Sequence, residues 1–118
     1  MEVSKGMAES LKESGKWSRY SEKRYIFGVT HAVSQKELKF MFNDINDRQR
    51  LWRSGLPAPD FGELFQAFPR RLVHKNEFRA DKSQAGYYTE GVPLIEVRFS
   101  GNMADRLAEL WILASQYR

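Results

Sequence analysis

The clearest pattern in the chain is a change of hydrophobic period within residues 92–114. First, Ile95, Val97 and Phe99 alternate with charged residues, which is the period of two expected of a strand with one buried face. The apolar residues that follow recur with the spacing of one helical face, as Met103, Leu107, Leu110, Trp111 and Ala114. Asn102, with Asp105 three residues later, resembles a helix N-cap with its reciprocal acid. The pattern predicts a strand and a helix that share one core.

A second helix start is marked by Ser34 and Glu37, which have the spacing of a capping box. The apolar residues after it follow a helical stripe, as Leu38, Met41, Phe42, Ile45 and Trp52. Ser54-Gly55 supplies a stop, so the sequence predicts one helix from Gln35 to about Arg53. On a continuous helix, Phe40 and Leu51 point nearly opposite that stripe, which leaves two apolar residues on the polar face.

Other segments predict shorter elements. Asp60 and Glu63 form a second N-terminal cap for a short helix that ends at Pro69. Residues 25–32 alternate with the β-branched and aromatic content of a strand, and residues 72–75 predict a strand, or two short strands about Asn76. Residues 81–86 predict a turn. Residues 87–89 and the strand from residue 94 predict a hairpin with Pro93 at a strand start or a sheet edge.

Together these elements predict an α+β fold, a two-layer domain with helices packed on one face of a three- or four-stranded, mainly antiparallel sheet. For residues 1–15 we expect a short, frayed helix or a disordered tail, and for residues 16–118 a single α+β domain. One core is expected, made of Ile95, Val97, Phe99, Leu107, Leu110, Trp111, Leu38, Phe42 and Ile45.

Composition narrows the classes of function. The 118 residues suit one domain, and the absence of cysteine excludes a disulfide framework, a thiolate zinc site and a cysteine nucleophile. No run approaches the ~18 apolar residues of a membrane span, so we expect a soluble, cytoplasmic protein without a membrane partner. The net charge of +4 comes from residues 1–59, where 11 basic side chains face 7 acidic ones, against 8 and 8 in residues 60–118. This mild excess is compatible with an acidic partner without requiring one.

Catalysis has little support in the sequence. His31 and His74 are the only histidines, and such a pair can run acid and base steps on a phosphodiester, so a cryptic nuclease is the third-ranked function. Two distant histidines without further ligand spacing do not predict a metal site. Glycine-rich phosphate loops and a G-x-S-x-G elbow are absent from the sequence, so no cofactor and no catalytic residue are expected.

Nucleic-acid binding is the second-ranked function. Basic side chains that could meet phosphates, and aromatic ones that could stack on bases, form three groups. The groups are Arg48, Arg50 and Arg53; Arg70, Arg71 and Lys75; and Lys16, Arg19, Lys23 and Arg24 with Trp17 and Tyr20. Acidic residues interspersed among the basic ones weaken this interpretation. Basic residues at the C-terminal end of a helix also interact favourably with the helix dipole, without any nucleic acid.

Protein–protein contact ranks first. Three tryptophans, eight phenylalanines and five tyrosines are more aromatic surface than a small domain easily hides, and aromatic and arginine side chains anchor interfaces. We expect a non-enzymatic regulatory or inhibitory protein, of the bacterial antiactivator or immunity-protein type, that covers a surface of a transcriptional regulator, a toxin or a second copy of itself in a homodimer. The predicted partner-binding residues are Phe40, Leu51, Arg48, Arg50 and Arg53. The alternative is that another element of the same chain, such as the N-terminal helix, covers the Phe40 and Leu51 face.

Overall fold

The computed structural model describes residues 1–117, which form five α-helices and two antiparallel sheets of three strands each. The helices are α1 (Lys5–Glu13), α2 (Gln35–Met41), α3 (Ile45–Ser54), α4 (Phe61–Ala67) and α5 (Met103–Ala114), and a 3₁₀ turn follows at Ser115–Tyr117. The strands are β1 (Lys23–Tyr25), β2 (Val33–Ser34), β3 (Leu56–Pro57), β4 (Glu77–Ala80), β5 (Gln84–Thr89) and β6 (Val92–Arg98). The predicted α+β class is confirmed, with two small sheets where one was expected.

The larger sheet has the order β4-β5-β6 and carries the predicted hairpin. Glu90 and Gly91 join β5 to β6, and their positive φ angles of 51° and 81° are those of a two-residue hairpin turn. Pro93 lies on β6, which is an edge strand of this sheet, as the sequence predicted. It pairs with Tyr88, next to the point where the register between β5 and β6 shifts. Helix α5 packs against this sheet, and Asn102 is its N-cap as predicted, with the Asn102 side chain accepting from the Asp105 N–H. The predicted reciprocal bond does not form, since the Asp105 carboxylate accepts from the Ser4 N–H.

The segment before β5 differs from the sequence prediction. Residues 72–75 form turns and not a strand, because Lys75 adopts a left-handed φ of 71° that a strand cannot contain. The strand β4 begins only after Asn76, so one of the two short strands considered about Asn76 is present. The predicted turn covers residues 81–83 only, because residues 84–86 already pair with β6.

The smaller sheet has the order β2-β1-β3. The strand predicted over residues 25–32 is wrong beyond Tyr25, where the chain turns away. Ile26 is buried and Phe27 is 89% exposed, and Gly28 follows with a φ of 83° that ends any extended run. The alternation of apolar residues here therefore reflects a loop that buries some of its side chains.

The single helix predicted from residue 35 to residue 53 is two helices. Its start is correct, because Ser34 and Glu37 form the capping box at the beginning of α2. The helix stops at Met41, since Phe42 is extended, with φ −135° and ψ 126°. Asp44 then caps α3 by accepting from the backbone N–H groups of the second and third residues after it. The N-cap at Asp44 thus starts a new helix within residues 35–53, although the apolar stripe continues through the break.

The hydrophobic core is also divided. The main cluster contains α1, α4, α5 and the larger sheet, and includes the predicted Val97, Leu107, Leu110 and Trp111 with the partly buried Ile95 and Phe99. A second, separate cluster consists of the buried residues Ile26, Val33 and Leu38. The partly buried Val29, Phe42 and Trp52 pack against it. The prediction of one core containing Leu38, Phe42 and Ile45 is therefore wrong, since Leu38 and Phe42 belong to the second cluster and Ile45 is exposed.

Residues 1–15 contain the helix α1 and pack into the main cluster. Ser4 supplies the N-cap that the sequence analysis missed, and its own N–H donates to Asp105 Oδ1 over 2.8 Å. Val3 donates its N–H to the Pro59 carbonyl, and Val3 and Leu11 are fully buried. These long-range contacts attach the N-terminal segment to α5 and to the start of α4.

Candidate functional site

Among the five α-helices of residues 1–117, α3 is the only one without a buried residue. None of its ten residues, all of which the structure describes, is buried. A helix of this length is marginal on its own in water and normally depends on tertiary packing of an apolar face. The helix begins with Ile45, whose side chain is 58% exposed. Helix α3 therefore presents apolar surface that the monomer leaves uncovered.

Polar contacts hold α3 in place. Arg24 on β1 donates from Nη1 to the carbonyls of Trp52 (3.0 Å) and Gly55 (3.4 Å), and its guanidinium lies 5.1 Å from the centroid of the Trp52 ring. At the other end, Arg48 Nη1 donates to the Phe42 carbonyl over 3.2 Å. These bonds, together with the packing of Trp52 against the second cluster, fix the orientation of α3 while six of its ten residues stay exposed. A helix held in this way is preorganised for binding.

Two surface recesses flank α3, so that the helix forms a ridge between them. The recess on one side has a volume of about 250 Å³ and is lined by Gln35, Leu38, Lys39, Ile45, Arg48, Gln49 and Trp52. The recess on the other side has a volume of about 300 Å³ and is lined by Phe27, Gly28, Phe42, Asp47, Arg50 and Leu51. We call α2, α3 and these two recesses the α3 ridge.

Aromatic residues on the segments that neighbour α3 are exposed as well. Phe40 on α2 is 85% exposed, and Phe27, which lines the second recess, protrudes from the loop after β1. Single exposed apolar residues are common on protein surfaces, whereas several on neighbouring elements around concave surface mark interaction sites.

The charge around the ridge is positive, because α2, α3 and the N-cap Asp44 together carry five basic residues and three acidic ones. The three acids also accept hydrogen bonds within the chain. Asp44 caps α3, Asp47 accepts from Arg50 over 3.0 Å, and Glu37 closes the capping box of α2. The hydrogen bond from the Ser34 backbone N–H holds the pKa of Glu37 below its ordinary value. Within residues 1–117, the basic residues of α2 and α3 that form no ion pair are Lys36, Lys39, Arg48 and Arg53.

The structure places all five predicted partner-binding residues on α2 and α3, but not in the predicted arrangement. Phe40 and Leu51 do not share a line on one helix, because the chain breaks between them. Leu51 and Arg50 line one recess, Arg48 lines the other, and Phe40 and Arg53 line neither. Leu51 is half-buried, so only Phe40 of that pair is widely exposed.

Sequence reasoning missed Phe27 and Ile45 as exposed residues. Phe27 precedes a glycine, which is a turn signal that the strand-like alternation concealed. Ile45 follows Asn43-Asp44, a pair typical of a loop that ends in an N-cap, and a cap there places Ile45 at the first, most exposed turn of a new helix.

The residues considered for other functions lie apart. His31 and His74 are both exposed and lie in loops that lead into different sheets. Trp17, expected to stack on bases, is buried and packs edge-on against Trp111 at 4.9 Å, so its ring is not available to a ligand. Within residues 1–117 no three His, Asp or Glu side chains cluster as a metal site would require.

The chain matches no protein-family model, no curated protein and no solved structure. Over the part of the chain that the structure describes, no helix has the length and apolar content needed to cross a membrane.

Proposed function

We propose that this chain is a small non-enzymatic regulatory or inhibitory protein that binds another protein through the α3 ridge. The main support is the exposure of α3, which has no buried residue and begins with the exposed apolar residue Ile45. A helix that offers its apolar side to a partner uses the helix-in-groove mode of recognition, in which anchors recur at spacings of three and four residues. Ile45, Arg48, Gln49 and Trp52 have that spacing and line one recess together.

The ridge supplies the kinds of contact that dominate protein interfaces. Trp52 and Phe27 are aromatic, and tryptophan, tyrosine and arginine are enriched among residues that carry binding energy. The arginines of α3 flank the apolar residues, as expected of a polar rim around an apolar centre. Because Arg24 and Arg48 already fix the helix, little order has to be gained on binding.

The positive charge of the ridge favours a partner with an acidic surface. Lys36, Lys39, Arg48 and Arg53 lack ion-pair partners within residues 1–117. A partner with an apolar surface rimmed by carboxylates would complement these charges and be steered toward them. A domain that covers such a surface blocks whatever that surface otherwise binds, which is how a regulator or inhibitor of this size can act.

Variants of Ile45 and Phe40 test the proposal. Ile45→Glu and Phe40→Glu each place a carboxylate on the ridge, and Met103→Glu, at the exposed start of α5, is a matched control. Glutamate at the first position of a helix suits the helix dipole, so both Ile45→Glu and Met103→Glu should fold normally. Wild type and variants serve as bait in lysate of the source cells, with and without nuclease, and the captured proteins are identified by mass spectrometry.

The proposal predicts a nuclease-resistant partner that Met103→Glu retains and that both ridge variants lose. Sedimentation of the purified chain tests self-association, which would show the same dependence on the ridge if the partner were a second copy. A partner retained equally by all three variants would contradict the α3 ridge as the binding surface. Capture that nuclease abolishes would instead assign the interaction to nucleic acid.

A further inference from the structure

The strand β6 leaves one edge of the larger sheet open. It stands at the end of the order β4-β5-β6 and is seven residues long. At the opposite edge, β4 is four residues long, and its Phe78 N–H already donates to the Arg70 carbonyl over 2.8 Å. An edge strand with unpaired backbone groups is a template for pairing with a further strand. Of the two edges, β6 offers the longer one.

The unpaired groups on β6 belong to Glu96 and Arg98. Phe99 donates its N–H to the Ser83 carbonyl over 2.8 Å, so the backbone groups of Phe99 point toward β5. In an antiparallel pair these groups alternate along a strand between one side and the other. Val97 therefore also bonds toward β5, while the N–H and C=O groups of Glu96 and Arg98 point away from it. No backbone hydrogen bond from another segment of residues 1–117 reaches these two residues.

We propose that β6 pairs antiparallel with the β6 of a second copy of this chain, so that Glu96 lies opposite Arg98 of the copy. A two-fold axis makes such an interface self-complementary, and the same pair is formed twice. The larger sheets of the two copies then join into one continuous sheet. The proposal does not depend on the proposed function, because β6 lies outside the α3 ridge.

Charge favours this register over its neighbours. Residues whose backbone groups point outward in both copies must face each other to exchange two hydrogen bonds. Glu96 opposite Glu96, or Arg98 opposite Arg98, places like charges together, which is destabilising, whereas opposite charges attract. Glu96 and Arg98 are both exposed, and neither forms an ion pair within residues 1–117. Their charges are thus available to the copy.

The Glu96 carboxylate is partly ordered before any copy arrives. The Tyr88 O–H, on the neighbouring strand, donates to Glu96 Oε2 over 2.8 Å. An ionised carboxylate has further acceptor sites, so Glu96 can also accept from a guanidinium. Because this side chain has little freedom left to lose, pairing costs less conformational entropy.

The opposite face of β6 is complementary in the same register. With the two-fold axis at Val97, Ile95 falls opposite Phe99 of the copy. Ile95 and Phe99 pack against the main cluster but are only partly buried. Each would cover apolar surface that the other leaves exposed. Apolar residues therefore face apolar residues on one side of the joined sheet, and opposite charges meet on the other.

Pro93 confines the pairing to the second half of β6. It has no N–H to donate, and the register between β5 and β6 shifts beside it. Residues 95–99 lie beyond this irregularity, and they are the residues that the proposed register uses.

Sedimentation equilibrium of the purified chain, at concentrations up to about 0.5 mM, tests for the dimer. Hydrogen exchange followed by nuclear magnetic resonance on the same samples tests which surface pairs. The amides of Glu96 and Arg98 face solvent in the monomer, so their exchange should slow about tenfold or more as the dimer forms. Exchange of the α3 amides should not depend on concentration.

Charge variants test the register. Arg98→Glu and Glu96→Arg each place like charges opposite each other, and each should raise the dimer dissociation constant about tenfold or more. An equimolar mixture of the two variants restores both attractive pairs and should dimerise within about threefold of wild type. Far-UV circular dichroism checks that each variant folds, and Arg98→Gln, which should weaken the dimer about threefold, replaces a charge reversal that does not fold.

Arg79→Glu is the matched control. Arg79 lies on the same face of the sheet as Glu96, across Gly86, but on the β4 edge. Because it is two strands away from the proposed interface, its reversal should change the dimer dissociation constant by less than about twofold at physiological salt.

The proposal is overturned if the chain remains a monomer at about 0.5 mM, if the mixed variants do not associate, or if Arg79→Glu weakens the dimer as much as Arg98→Glu. A dimer that slows exchange in α3 but not at Glu96 and Arg98 would place the interface on the α3 ridge. Protection of these two amides only in the presence of the captured partner would assign the edge to an extended segment of that partner. Either result contradicts pairing between copies through β6.

Discussion

Trp111 on α5 donates its indole N–H to the backbone carbonyl of Gly15 over 2.9 Å, across 96 residues of sequence. Its ring also packs edge-on against Trp17. The segment just after α1 and the C-terminal part of α5 are thereby joined at one buried point. A buried N–H group without a hydrogen-bond acceptor lowers stability. This bond gives the Trp111 indole N–H its acceptor and holds the segment after α1 against α5.

That packing makes Gly15 sensitive to the smallest enlargement. A Cβ on Gly15 would lie 2.8 Å from the Leu11 carbonyl oxygen and 3.0 Å from Trp111 Cδ1, so Gly15→Ala should cost about 1–3 kcal/mol of unfolding free energy. Gly6, inside α1, has open space at the same position, and Gly6→Ala should stabilise by about 0.5–1 kcal/mol. Urea denaturation of both variants checks the prediction. Effects of the same sign would contradict the close approach at Gly15.

Leu110 and Leu113 test the register of α5. Leu110 is fully buried in the main cluster, whereas Leu113 is 39% exposed. Leu110→Ala should therefore lose about 2–5 kcal/mol through lost burial and cavity formation, and Leu113→Ala much less. The measurement is again the unfolding free energy in denaturant. A loss below roughly 0.5 kcal/mol for Leu110→Ala would place that residue at the surface.

The division of the core predicts unequal local stability. Only Ile26, Val33 and Leu38 are buried in the second cluster, so α2 and α3 should open without global unfolding. Native-state hydrogen exchange should show faster exchange of amides in α2 and α3 than in α5. Leu38→Ala should speed exchange in α2 and α3 while leaving α5 nearly unchanged. Equal acceleration in α5 would indicate one cooperative unit.

Tyr88 should titrate unusually high. Burial, and its hydrogen bond to Glu96 Oε2 at 2.8 Å, raise the pKa of Tyr88 to about 12, against an ordinary value of 10.0. Because the folded-state pKa is the higher one, the stabilisation is complete below pH 10 and is lost as the pH rises toward 12. Ultraviolet titration of tyrosinate in wild type and Glu96→Gln checks this. The variant should lower that pKa only in part, since burial is the larger cause, and an unchanged titration would exclude the contribution of Glu96.

Local chemistry allowed the sequence to determine several features alone. The capping boxes of Ser34 with Glu37 and of Asp60 with Glu63 start α2 and α4 as predicted. The hairpin of β5 and β6 and the change of period before α5 are also present as the sequence predicted. Each of these features depends on residues within about one helical turn or one hairpin, so their spacing alone specifies them.

Tertiary structure decided the features that depend on competition between local signals or on distant partners. The sequence contains both a helical stripe through Phe42 and an N-cap at Asp44. Only the tertiary structure, in which Phe42 packs beside Leu38, shows that a new helix begins after Asp44. The exposure of Ile45 and Phe27 follows from that break and from the turn at Gly28. Spacing along a chain fixes which residues share a face of one element, whereas the faces that become covered depend on the arrangement of all the elements together.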